Sequence, residues 1–137
     1  MNDKSFIDTN VWVYAHLQNA DKKCDAALNL LEKLPFLVGS TQILNEYYSV
    51  MLKKKIADNA IQDNIEVMID IADIQIIHVS TIRHAHKIKL KYGFSYWDSL
   101  VLASALESDC QRIYSEDMQH NQVIENSLII VNPFKEL

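Results

Sequence analysis

The sequence predicts an α/β fold, a three-layer sandwich with a mainly parallel central sheet flanked by helices. Short apolar runs alternate with longer segments of helical spacing, in the order β-αα-β-αα-β-αα-β-β. The segments between strands are long enough for the right-handed crossovers that join parallel neighbours. Of 137 residues, 49% are apolar and 23% charged, with only two Gly and two Pro, which suits a packed core and excludes collagen-like or low-complexity chains. No repeat, linker or composition break divides residues 1–137, so a single domain is expected.

Ser5-Phe-Ile-Asp-Thr9 is too short for a helix and runs into Thr9-Asn10, good capping residues. A strand passing straight into a helix is expected, with Val11, Trp12, Tyr14, Ala15 and Leu17 on the buried side. Ala26, Ala27, Leu30, Leu31 and Leu34 mark a second helix, stopped by Pro35. Phe36-Leu-Val-Gly-Ser40 reads as a buried strand, and Ser40-Thr41 opens a helix over 42–55. After the cap signal Asp58-Asn59, the spacing of Ile61, Ile65, Met68, Ile69 and Ala72 predicts another helix.

The β-branched stretch from Ile74 to Val79 predicts a third strand, followed by a helix capped by Ser80-Thr81 and ending near Gly93. Tyr96 to Glu107 is apolar almost all round, as in a helix buried between layers. Arg112-Ile-Tyr-Ser115 and Leu128-Ile-Ile-Val-Asn132 supply two last short strands.

The formal net charge of -5 argues against a broad basic surface for duplex nucleic acid, although not against a local basic groove. Cys24 and Cys110 have neither CxxC spacing nor a nearby His, so reduced thiols are expected rather than a zinc site or disulfide. No apolar run nears the ~20 residues that cross a bilayer. Asp3, Lys4 and Asp8 occupy the stretch that a signal peptide keeps uncharged. A cytoplasmic protein with no membrane association is expected.

In open α/β sheets, ligands bind beyond the carboxyl ends of the strands. Asp8 ends the first strand and Asp117 follows the fourth, so they are neighbours if those strands pair. Asp98 opens a strongly apolar helix, a costly place for a charge unless it faces a cleft, a cap or a metal. Glu46 lies one turn into the helix after the second strand. Convergence of these four acids would suit Mg²⁺ or Mn²⁺, hard cations that prefer oxygen ligands and activate water for phosphodiester hydrolysis. Each acid also has a simpler role: Asp8 as a helix cap, Asp98 as the acid of a Ser95-x-x-Asp98 capping box, Glu46 as a solvated helix residue, Asp117 as a turn residue.

Four segments carry a family resemblance: Phe6-Ile-Asp-Thr-Asn-Val-Trp12, Gln42-Ile-Leu-Asn-Glu-Tyr47, Ser95-Tyr-Trp-Asp-Ser99 and Tyr114-Ser-Glu-Asp-Met-Gln-His120. In these the chain resembles the PIN-domain nucleases, and among them the ribonuclease toxins of VapBC-type toxin-antitoxin pairs. The ending Ile129-Ile-Val-Asn-Pro-Phe134 is also similar to bacterial members, whereas Asn121 stands where such toxins usually have a small residue. The resemblance implies a parallel sheet between helices and a Mg²⁺- or Mn²⁺-dependent endoribonuclease. Asp8, Glu46, Asp98 and Asp117 would then be the catalytic metal-site acids, with Thr9 and Ser115 positioning carboxylates or water. It further implies an RNA substrate, a homodimer and a small antitoxin partner.

Other features leave two readings open. Arg83, His84, His86, Lys87, Lys89 and Lys91 could contact RNA phosphates or form a solvated helix face, and Lys53-Lys54-Lys55 suits either a helix end or a groove rim. Trp12, Tyr14, Tyr47, Tyr48 and Trp97 could stack on unpaired bases or pack in the core or a dimer contact. His16 and His120 fall near the site segments, and structural roles are expected for both. Two other function classes remain: a noncatalytic RNA-binding or scaffold domain of the same fold, and a phosphatase-like or receiver-like Mg²⁺ domain. The latter lacks its usual paired acids here.

Overall fold

The computed structural model describes residues 3–17, 19 and 21–137. Its elements in chain order are β1 (Lys4–Ile7), α1 (Thr9–His16), α2 (Lys22–Lys33), β2 (Phe36–Ser40), α3 (Thr41–Lys53) and α4 (Asp58–Ile71). They continue as β3 (Ala72–Gln75), α5 (Val79–Tyr92), α6 (Tyr96–Glu107), β4 (Arg112–Tyr114), β5 (Val123–Ile124) and β6 (Leu128–Val131). The strands form one sheet in the order β3-β2-β1-β4-β6-β5, parallel except for β5. With its helices the sheet makes a three-layer α/β sandwich.

The register places β1 centrally. Phe6 stands opposite Val38 on β2 and Ile113 on β4, and Ile113 stands opposite Ile130 on β6. This apolar row is buried, as both faces of a parallel sheet must be. Trp12, Ile43, Tyr47, Met51, Ile61 and Met68 add fully buried side chains from α1, α3 and α4 to the same core. Ala85, Leu100 and Ala103 form a smaller cluster between α5 and α6. Small residues there let the two helices approach closely.

The boundaries differ from the sequence reading in four places. Asp8, rather than Thr9-Asn10, caps α1, since its carboxylate accepts the Thr9 N–H at 2.8 Å and the strand stops at Ile7. Ala57, not Asp58-Asn59, is the N-cap of α4, and Asp58 instead accepts the Tyr48 hydroxyl. The third strand is Ala72–Gln75, not 74–79, because α4 passes into β3 without a loop and β3 pairs with Leu37–Ser40. The residues beyond it lead into α5, which starts at Val79 with His78 as N-cap; the His78 N–H donates to Thr81 Oγ1 at 3.2 Å. β5 was not expected from the sequence. It returns on β6 through Glu125 and Asn126, whose φ values of 51° and 57° suit a tight hairpin.

Gly93 ends α5 at φ 79°, with its N–H donating to Lys89 O at 2.9 Å. A Cβ there would meet nothing within 4 Å, so only backbone strain opposes one. Gly93→Ala is expected to lower stability by about 1 kcal/mol in urea unfolding. Unchanged stability would show that this cap does not need the left-handed conformation.

Candidate active site

The pairing of Ile7 with Tyr114 sets the site, since the next residue on each chain is Asp8 and Ser115. The Asp8 N–H continues the ladder to Tyr114 O at 3.0 Å. Its carboxylate accepts the Thr9 N–H on Oδ1 and the Ser115 hydroxyl on Oδ2, both at 2.8 Å. Glu46, in the second turn of α3, accepts the Thr9 hydroxyl on Oε1 at 2.8 Å and Gln42 Nε2 on Oε2 at 3.2 Å. Both side chains that the resemblance casts as supporting residues thus hold a carboxylate: Thr9 holds Glu46, and Ser115 holds Asp8.

Asp98 lies in the first turn of α6, where its backbone N–H donates to Ser95 Oγ at 3.1 Å. Ser95 therefore caps α6, and it also hydrogen-bonds the Asp98 side chain, while Asp98 lines the cavity. Asp117 sits past β4 and accepts Asn10 Nδ2 on Oδ2 at 2.8 Å. Asp8, Glu46, Asp98 and Asp117 all line one cavity of about 310 Å³, together with Thr9, Asn10, Ser49, Val50 and Lys53. Four chain segments therefore bring one acid each to the carboxyl edge of the sheet.

Crowding shows in the acidities. The Asp8 carboxyl is pushed up to about 6, mainly by burial and further by Glu46 and Asp98, against the opposing bonds from Thr9 and Ser115. Asp98 is also raised, by burial first, with Ser95 opposing and Asp117 and Glu46 adding to the rise. The exposed Lys53 is the cationic residue in the lining. Among the described residues no three His, Cys, Asp or Glu side chains form a ready-made ligand cage. The donor chemistry nevertheless fits a hard divalent cation, because the wall offers carboxylate and hydroxyl oxygens whose mutual repulsion a cation would relieve.

The remaining candidates fall elsewhere. Trp12 and Tyr47 are wholly buried, Tyr14 donates to Glu116, and Tyr48 faces Asp58. Only Trp97 of the five aromatics is largely open, at 61% exposure. On α5, His84 faces Glu107 and Lys91 faces Glu125, and none of its basic residues lines the cavity. His16 shares a 2.7 Å bond with Tyr47, and His120 Nδ1 accepts the Asn132 N–H at 2.9 Å. Asn121 takes a left-handed φ of 68° and donates its N–H to Ile130 O.

Sequence reasoning gave Asn10 only a capping role, assigned no site role to Gln42 or Ser49, and left Lys53 among alternatives. Gln42, Glu46, Ser49 and Lys53 follow one another at helical spacings of four, three and four, so a single stripe of α3 was the available signal. Glu116, tied to Tyr14 and Lys23, had no local signal because both partners are about a hundred residues away.

Unfolded, Asp8 ionises near 3.8; folded, it holds its proton up to about 6. The folded state therefore binds the extra proton between those values, and this contribution to stability is full below about pH 4 and lost as pH rises through about 6. In chelator, the parent should lose on the order of 1 kcal/mol per pH unit between those values relative to Asp8→Asn. Unfolding free energies of both proteins from pH 4 to 8 check this. Parallel pH curves would contradict it.

The PIN domain family model matches residues 5–125. No curated protein matches the sequence. Solved structures do: a toxin-antitoxin complex from Klebsiella pneumoniae superposes with a TM-score of 0.71 at 17% identity, covering 95% of this chain and 98% of that one. VapC20 of Mycobacterium tuberculosis, described as a toxin that cleaves the sarcin-ricin loop, gives 0.69 at 17% identity over 82% of this chain and 89% of its own. VapBC2 from Rickettsia felis, bound to a DNA fragment from its promoter, gives 0.66 at 17% identity over 93% and 96%. At such identity these structures speak for the fold, and with the family match over most of its length the chain belongs to the PIN domain family.

Proposed function

We propose that this PIN-domain chain is a Mg²⁺- or Mn²⁺-dependent endoribonuclease acting as the toxin of a toxin-antitoxin pair. The observation that carries the reading is the lining of one cavity by Asp8, Glu46, Asp98 and Asp117, with Asp8 driven toward protonation by burial and its acidic neighbours. Asp8 and Asp98 are the proposed direct metal ligands, with Asp117 and Glu46 acting directly or through water. Bound there, a divalent cation supplies an activated water and neutralises charge on the scissile phosphate.

The chain's own groups do the rest. Thr9 and Ser115 keep Glu46 and Asp8 turned to the cavity. Asn10 does the same for the exposed Asp117. Lys53 offers an ammonium to a phosphate oxygen at the rim.

An antitoxin partner is proposed from the likeness to the Klebsiella toxin-antitoxin and Rickettsia VapBC2 assemblies, and a homodimer from the family resemblance. No helix among the described residues is long and apolar enough to cross a membrane, and a cytoplasmic site of action is proposed. The lack of a ready-made ligand cage among the described residues favours one other reading, a noncatalytic RNA-binding or scaffold domain.

Incubation with structured RNAs, beside single-stranded DNA, separates the two. Cleavage of RNA is expected with Mg²⁺ or Mn²⁺, not in excess EDTA, and poorly with Zn²⁺ at an all-oxygen site. Asp98→Asn should lose more than ~100-fold in rate, beyond the loss typical of an outer-shell change. RNA binding without cleavage under any of these metals would establish the noncatalytic reading. Undiminished cleavage in EDTA would overturn the metal assignment. Light scattering on the same preparation reads the dimer.

A further inference from the structure

Next to the acidic cavity, α3 borders a second hollow of about 510 Å³, with Gln42, Asn45, Ile77, Trp97 and Leu100 among its walls. Glu46 and Ser49 line both spaces, so the two lie side by side along one helix. The size is that of a site for a small flat molecule.

Three observations bear on its occupant. Trp97 is 61% exposed although Trp12 is wholly buried, so the core has room for an indole and this one is left outside. Its ring meets Tyr96 edge-on at 5.1 Å, and its backbone carbonyl is pinned by Gln42 Nε2 at 3.1 Å. The exposed indole is therefore held in place.

Gln42 is 8% exposed, and its Nε2 donates both to Glu46 and to the Trp97 carbonyl. Those acceptors fix the amide's orientation. Its Oε1 is buried without a hydrogen-bond partner, which carries a desolvation cost until a donor arrives. An apolar floor, an open aromatic face and an unmet acceptor together suit a planar group with apolar faces and a polar edge.

We infer that this hollow is a stacking subsite for an unpaired nucleobase beside the phosphate held in the acidic cavity. The inference rests on the proposed placement of that phosphate. A base splayed from a loop stacks on an aromatic ring, whereas a paired base cannot reach one. A peptide strand or a second copy of the chain would also cover an apolar face. Neither explains why the hollow shares Glu46 and Ser49 with the acidic cavity.

Trp97 reports on its own occupancy, because the other tryptophan, Trp12, is shielded in the core. The test uses the full chain carrying Asp98→Asn to suppress cleavage, titrated in Mg²⁺ with a single-stranded RNA hexamer of mixed sequence. An abasic ribose-phosphate chain of equal length is titrated in parallel. The hexamer should quench tryptophan emission saturably, and the abasic chain should not. Adding Trp97→Ala should weaken hexamer binding about tenfold by anisotropy, in the range of one lost base stack, while Trp97→Phe retains most of it. Binding of the abasic chain should be alike in all three proteins.

Hexamer binding without quenching, or unchanged by Trp97→Ala, would overturn the subsite even if the parent cleaves RNA. Equal weakening of abasic binding would make Trp97 a structural residue and overturn it too. An emission shift that depends on protein concentration without RNA would give the hollow to a second copy. Quenching by the hexamer in a chain whose parent never cleaves RNA would support the subsite and sink the nuclease reading.

Discussion

β1 is the constraint on which the site depends. It is four residues long, lies between β2 and β4, and pairs in parallel with both. Such a strand has no edge toward water, and from Ser5 to Ile7 its residues are buried until the chain leaves the sheet. Asp8 is the first residue after that exit. The same register that buries Phe6 against Val38 and Ile113 sets Asp8 beside Ser115, and a slip by one residue would turn the strand over and take the carboxylate with it. Helices α1, α3 and α6 then bring Asn10, Glu46 and Asp98 to the same edge.

The arrangement works against the metal-free protein. A carboxylate at a buried strand end loses water, and neighbouring acids raise the cost of keeping it charged. Hydrogen bonds from Thr9 and Ser115 recover part of that, yet the Asp8 carboxyl is still pushed up to about 6. Core packing elsewhere must carry the difference. Retaining such strain is reasonable where a cation or a substrate phosphate is meant to relieve it. Among the described residues, Lys53 is the one cation in the lining, against four acids.

Much of this was legible in the residues. The alternation of short apolar runs with helical segments was enough for the layered α/β order, because parallel strands buried on both faces leave that signature. The rule that sites lie at carboxyl strand ends selected Asp8 and Asp117 before any pairing was known. The third strand was misplaced because isoleucines run from Ile69 through Ile71, Ile74, Ile76 and Ile77, and a helix that becomes a strand without a loop leaves no break in such a run. β5 escaped notice for a different reason: two residues cannot show a period. Trp97 was grouped with four other aromatics, since spacing alone does not tell an open indole from a buried one.

The central claim is that the crowded carboxylates, Asp8 above all, exist to bind a divalent cation. Calorimetric titration of the metal-free chain with Mg²⁺ in two buffers of different ionisation enthalpy measures the protons released on binding. Because Asp8 is half-protonated near pH 6, binding there should release about half a proton or more, falling to almost none at pH 8. Absence of binding, or a proton release that is the same at both pH values, would contradict the account.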